Sequence, residues 1–223
     1  MKSDFRAIIF DFNGVIINDE PLHCELLRQV ICEEGMSFNE GDYERYYLGR
    51  NDRTCIQIAL SRHHRPEMND AQYIDALVSR KTSYYQEAFC GRDLLFPGIA
   101  SLIPKLAALY PLAIASGALR SEIVLALSSA RIEEHFQLII AAEDVQCSKP
   151  DPEGFILAWQ GLRLVMPNLA PEDCLVIEDT TAGITAAKAA GMQCLAVTTS
   201  YPASDLALAD EVTSELIDWF KRP

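Results

Sequence analysis

At 223 residues, with 49% hydrophobic and 23% charged residues, the chain is longer than one average domain and shorter than two, which predicts a main domain carrying a sizeable insertion. A net charge of −13 argues against nucleic acid or an acidic membrane as a partner, since both require a basic face. An anionic small molecule stays compatible with that charge if local Lys, Arg and helix N-termini receive it, with a divalent cation beside them. No apolar run reaches the roughly 18 residues that a membrane span requires. The opening "MKSDFRAIIFDF" carries charge where a signal peptide would be apolar, so a cytosolic protein is expected, as a monomer or weak dimer. The seven cysteines are odd in number, dispersed and never in a CxxC pair. They predict neither a disulfide framework nor a zinc site and are read as small buried hydrophobes or incidental thiols.

In chain order, "AIIF" before Asp11 reads as a strand buried on both faces. Residues 19–91 then carry helical patterns only: "PLHCELLRQVICEEG", "RTCIQIALSRHH" and "DAQYIDALVSRKTSYYQEAF". About a hundred residues separate the first strand from the second, far more than a βαβ crossover uses. A small helical domain is therefore expected at 19–91, entered near Ile17 to Glu20 and left near Gly91 to Phe96, with a catalytic core formed by 1–18 and 92–223. In that core, "LAIA" before Ser116, "LII" at 138–140, "LVI" before Glu178 and "CLAV" before Thr198 read as further buried strands. The segments "SLIPKLAALY", "RSEIVLALSSA", "PEGFILAWQGL" and "AGITAAKAAGM" between them read as helices, the last closed by Gly191. Strands alternating with helices specify an α/β fold with a Rossmann-like parallel sheet and helices on both sides. No GxGxxG follows the first strand, so dinucleotide binding is poorly supported.

Ligands of parallel α/β sheets bind beyond the carboxyl ends of the strands, and here those ends are polar: Asp11, Ser116, Glu178 with Asp179, and Thr198. Carboxylates from different strands at one edge repel unless a cation or a proton lies between them. Oxygen ligands without neighbouring Cys or His favour Mg²⁺ over Zn²⁺.

Four segments in this order, "DFNG" with Asp11, "ASG" with Ser116, "SKPDPEGF" with Lys149 and "VIEDTTAGITAAKAAGM" with Glu178 and Asp179, resemble the haloacid dehalogenase superfamily. The likeness is to its branch with a helical cap after the first strand, which holds β-phosphoglucomutase and phosphatases. The resemblance implies that Asp11 is a nucleophile that forms an aspartyl phosphate. It implies a Mg²⁺ ion on Asp11, Asp179 and the backbone carbonyl of Asn13, with Glu178 close by or acting through water. Ser116 and the N–H of Gly117 would hold a phosphoryl oxygen, helped by the following helix N-terminus, and Lys149 would supply fixed positive charge. In the cap, His23, Lys81 and Arg53, with Arg50 ranked below them, fall where related caps contact substrate. The implied partner is a small phosphorylated metabolite.

The departure is Asn13. The resemblance implies an aspartate there, which protonates the leaving group and then activates water, and an amide can do neither near neutral pH. Loss of a general acid–base costs about 10²- to 10⁴-fold, which ranks hydrolysis of esters with good leaving groups above a mutase. A phosphate-binding protein with a disabled site is the alternative from outside enzymology. Dehalogenase chemistry is disfavoured by the Glu178–Asp179 pair, and a phosphonate hydrolase would need Lys81 as a Schiff base. Asn13 reads first as natural variation, with low activity or with Asp19 or Glu20 as substitute acids, ahead of an engineered substitution that traps a complex. The Asn–Gly pair also raises spontaneous deamidation.

Overall fold

The computed structural model describes residues 5–89, 92 and 94–221. Along the chain the elements run β1 (Ala7–Phe10), α1 (Glu20–Glu33), α2 (Asp52–Arg62), α3 (Ala71–Phe89), α4 (Ile99–Ala107), β2 (Leu112–Ala115), α5 (Arg120–Ser129) and β3 (Phe136–Ile140). They continue with α6 (Glu153–Leu162), β4 (Cys174–Glu178), α7 (Thr181–Ala189), β5 (Gln193–Val197), β6 (Glu211–Thr213) and α8 (Leu216–Lys221). The chain divides into two compact units, residues 1–18 with 94–223, and residues 19–93.

The first unit is a six-stranded parallel sheet in the order β3-β2-β1-β4-β5-β6. After β1 the chain builds outward through β2 and β3, then returns to add β4 on the opposite side of β1. The carboxyl ends of β1 and β4 therefore meet at a topological switch point, where α/β sheets form their ligand crevice. Strands β1, β2 and β4 are buried at every residue, as their unbroken apolar runs require. Apolar residues of these strands pack with Phe155, Ala158 and Leu162 of α6 and Ile184, Ala186 and Ala187 of α7. Strand β3 departs from the expectation of two buried faces: it lies at the sheet edge, and residues 138–140 are only half-buried. The other edge strand, β6, escaped the sequence reading because "EVT" is too short and polar to form an apolar run.

The second unit is helical, as expected, with a core of Leu27, Val30 and Ile31 from α1, Ile56, Ala59 and Leu60 from α2, and Ile74 and Leu77 from α3. A π-helical turn at Tyr43–Tyr47 adds two aromatic rings to it. Both chain crossings between the units are anchored within the sheet unit. Asn18 N–H donates to Leu94 O at 2.7 Å, and Phe96 N–H donates to Ile16 O at 3.0 Å. Gly91, expected in the second crossing, lies outside the described residues.

Of the described cysteines, Cys55, Cys174 and Cys194 are buried, Cys24 is half-buried, and Cys32 and Cys147 are exposed, all as free thiols; Cys90 lies outside the described residues. Burial pushes the Cys174 thiol up to about 12, consistent with an inert small hydrophobe. No helix among the described residues is long and apolar enough to cross a membrane.

Candidate active site

Asp11 is the first residue past β1. Its N–H donates to Ile177 O at 2.9 Å, extending the β1–β4 ladder by one bond. Because Phe10 pairs with Ile114 and Ile177, Asp11 stands level with Ala115 of β2 and Glu178 of β4. The chain then turns sharply. Ile16 and Ile17 N–H both donate to Phe12 O, and Gly14 N–H donates to Ile17 O at 2.8 Å. Gly14 adopts φ +74°, and a Cβ built on it would lie 1.9 Å from Asp179 Oδ2. The turn thus needs glycine twice, for its backbone conformation and for the approach of a carboxylate.

Lys149 ties the site together. Its ammonium donates to Asp11 Oδ1 and to Glu178 Oε1, each at 2.6 Å, and lies 4.8 Å from the centre of the Phe155 ring. The other Glu178 oxygen, Oε2, accepts from the N–H groups of Asp179 and Thr180 at 2.8 Å and from the Thr180 hydroxyl at 3.0 Å. Thr180 also caps α7 by accepting from Gly183 N–H at 3.0 Å, and a Cβ at Gly183 would lie 1.7 Å from Glu178 Oε1. A carboxylate that is fully buried is tolerable only with its oxygens served in this way. Glu178 is therefore held as the anchor of Lys149.

Asp179 is served from the loop after β5. The Ser200 hydroxyl donates to Asp179 Oδ2, with Thr199 Oγ1 at 3.4 Å from the same oxygen, and Thr199 Oγ1 donates to Gly14 O at 2.6 Å. Sequence reading stopped at Thr198 and missed both residues. The available signal was the polar tail "TTS" directly after a buried strand.

Asp11, Glu178 and Asp179 are all buried, and each offers an oxygen within 4.8 Å of the others. Three clustered carboxylates, with the ammonium of Lys149 on two of them, carry an excess of negative charge. Burial pushes the Asp11 carboxyl up to about 7 although Lys149 pulls the other way, so the pocket alone is short of positive charge. An all-oxygen donor set of this kind suits a hard divalent cation, and the residues present fit such an ion.

On the other side of β1, Ser116 follows β2. Its N–H donates to Ile140 O at 3.0 Å, and its hydroxyl oxygen accepts from Ala118 N–H at 3.1 Å, which leaves the hydroxyl proton for a ligand oxygen. Gly117 is the next residue along the same turn. The expected help from the helix N-terminus is weakened, because Leu119 N–H already donates to Glu122 and Arg120 N–H to Glu143. Protein carboxylates occupy the donors that an anion would use.

Asn13 is half-buried and bridges to Ile17 within the turn. Deamidation requires the Gly14 nitrogen to attack the Asn13 side chain, and that nitrogen is committed to Ile17 O. Peptide mass spectra of aged protein are expected to show no one-dalton gain over this segment.

The cap candidates lie in the helical unit and do not form one group. His23 and Lys81 come together: Lys81 Nζ is 2.6 Å from His23 Nδ1 and 2.7 Å from Asp52, and His23 Nε2 is 3.1 Å from Asp19 Oδ2. Tyr85 donates to that same Asp19 oxygen at 2.7 Å and stacks on the His23 ring. Lys81 is fully buried, an unusual place for a lysine, and its partners are carboxylate and imidazole. Glu20 accepts from the Tyr43 hydroxyl at 2.6 Å, and burial raises its carboxyl above the usual range. Arg53 stands apart, exposed and paired with Asp75, and Arg50 is exposed as well.

A switch-point crevice holding a buried aspartate, a lysine and two further acids, in a sheet interrupted by a helical unit after β1, defines an α/β enzyme class with a carboxylate at its centre. The sequence pattern of haloacid dehalogenase-like hydrolases matches residues 8–197. The chain belongs to that family, in its β-phosphoglucomutase/phosphatase-like branch. It is 27% identical to validoxylamine A 7'-phosphate phosphatase of Streptomyces hygroscopicus subsp. limoneus over 96% of this chain and 95% of that one. It is 28% identical to the phosphorylated carbohydrates phosphatase of Thermotoga maritima, over 84% and 82%. In fold it is similar to β-phosphoglucomutase from Clostridium difficile, with a TM-score of 0.83 and 22% identity over 97% of this chain and 96% of that one.

Proposed function

We propose that this protein is a Mg²⁺-dependent hydrolase of small phosphomonoesters that works through an aspartyl phosphate on Asp11. The observation that carries this reading is the buried set of Asp11, Lys149, Glu178 and Asp179 at the switch point of the sheet. The relatives named as phosphatases of phosphorylated carbohydrates and of validoxylamine A 7'-phosphate support the substrate class.

In this reading Asp11 and Asp179, with the backbone carbonyl of Asn13, hold the cation, and Glu178 acts from behind through Lys149. When bound, Mg²⁺ lowers the repulsion between an anionic nucleophile and an anionic phosphoryl group. Lys149 orients Asp11 through one carboxylate oxygen and supplies a second positive charge to the phosphoryl oxygens. The Ser116 hydroxyl and the Gly117 N–H hold a phosphoryl oxygen. Residues 19–91 are assigned as the substrate-selecting cap. His23 and Lys81 set its polar centre, and Arg53 is available at its surface once it leaves Asp75. The cytosol is the compartment proposed.

The test is phosphate release from p-nitrophenyl phosphate and acetyl phosphate, with and without Mg²⁺, by the parent and Asp11→Ala. Mg²⁺-dependent release that Asp11→Ala abolishes is the expected result. Equal release by both proteins would remove Asp11 as nucleophile.

A further inference from the structure

Among the described residues of the sheet unit, the lysine and the carboxylates beside Asp11 are held in contacts of their own. Lys149 is shared between two carboxylates, both Glu178 oxygens accept hydrogen bonds, and Asp179 is served by Ser200 and Thr199. Residue 13, two positions past the nucleophile, is an amide. Its turn is clamped from both sides, by Gly14 N–H on Ile17 O and by the Thr199 hydroxyl on Gly14 O, so the loop is not built to exchange Asn13 for another residue.

We propose that Asn13 makes this enzyme selective for phosphoryl donors whose leaving group needs no proton, acyl and aryl phosphates, and leaves the phosphoryl group resident on Asp11. The inference rests on the phosphatase reading above and deepens it. In the first step an Asp11 oxygen forms its bond to phosphorus and the bond to the leaving oxygen breaks. That oxygen keeps the electron pair and departs as a carboxylate or phenolate, stable without protonation. In the second step water forms a bond to phosphorus, the Asp11–phosphorus bond breaks, the carboxylate is restored and the water proton passes to phosphate or solvent. In the second step Asn13 offers no base, so this step is the slow one and the phosphorylated protein accumulates. An alkyl phosphate fails earlier, because an alkoxide must leave unprotonated.

Two measurements test this. The first compares kcat/KM in Mg²⁺ for acetyl phosphate, p-nitrophenyl phosphate, phenyl phosphate and glycerol 3-phosphate, for the parent and Asn13→Asp. The parent is expected to fall steeply as the leaving group becomes more basic. Asn13→Asp should flatten the series by raising glycerol 3-phosphate hydrolysis on the order of 10²- to 10⁴-fold more than acetyl phosphate hydrolysis. The second is intact-mass spectrometry after brief exposure to acetyl phosphate, where the parent should carry one added phosphoryl group, lost in Asp11→Asn and short-lived in Asn13→Asp. A parent that hydrolyses glycerol 3-phosphate within tenfold of acetyl phosphate overturns the selectivity while leaving the phosphatase reading intact. If no phosphoryl adduct forms while acetyl phosphate is turned over, residence on Asp11 is overturned. Release from none of the four compounds by either protein overturns the phosphatase reading and this inference together.

Discussion

Lys149→Met is expected to lower Mg²⁺-dependent phosphate release on the order of 10²- to 10³-fold, the usual loss when one fixed electrostatic contact to a transition state is removed. The same variant should lose about 3–5 kcal/mol of stability, because removing one partner of a buried ion pair leaves the other charge uncompensated. Two carboxylates are orphaned at once, Asp11 and Glu178, each 2.6 Å from the ammonium in the parent. The pH dependence follows from Asp11. Its carboxyl is already raised to about 7 by burial, opposed by Lys149. A raised carboxyl is a cost that is absent below the unfolded value near 3.8 and accumulates as the pH rises toward the folded value. Without Lys149 the folded value rises further, so the deficit of the variant relative to the parent should grow with pH above about 7, where the cost in the parent has levelled off. Chemical denaturation in EDTA at several pH values checks this. A deficit that shrinks as the pH rises would show that Lys149 acts by packing on Phe155 rather than by charge. Adding Mg²⁺ should recover part of the lost stability, since a bound cation replaces some of the missing positive charge.

Gly14→Ala is expected to raise the Mg²⁺ concentration for half-maximal activity about 10- to 100-fold, the effect typical of losing a group that orients a metal ligand. A methyl group here meets the Asp179 carboxyl, with Cγ at 2.6 Å and Oδ2 closer still, and that carboxylate is buried among Ser200, Thr199 and the turn itself. Either Asp179 or the turn bearing Asp11 must move. Left-handed backbone adds a strain of roughly 1–2 kcal/mol for any L residue. Gly35→Ala separates the two effects, because Gly35 has φ +72° with nothing within 4 Å of its added methyl. It should show the loss of stability without the shift in Mg²⁺ requirement. Equal Mg²⁺ requirements in the two variants would sink the steric argument.

Local pattern alone made much of this protein legible. Four-residue apolar runs such as Ala7–Phe10 and Leu112–Ala115 can satisfy their burial only inside a parallel sheet, so the strands and the polar residues at their ends could be read directly. Helical patterns in residues 21–35, 53–64 and 70–89 marked the inserted unit in the same way, and the helices lie at 20–33, 52–62 and 71–89. Asn13 stood out as a departure through the resemblance, which implies an aspartate there, and an amide differs from an acid in chemistry at any level of structure.

What the sequence determined by itself was therefore the layered α/β class, the helical insertion, and the identity of the acids, lysine and amide available for chemistry. The tertiary structure alone decided how they are used. Lys149 reaches Asp11 across 138 positions of chain, and only the fold reveals that Glu178 spends its oxygens on Lys149 and the start of α7. The service of Asp179 by Thr199 and Ser200, and the capture of the Arg120 N–H by Glu143, are likewise long-range or cross-loop contacts. The physical reason is that periodicity reports which face of an element is buried, whereas a hydrogen bond between distant residues depends on strand order and register, which no local window contains.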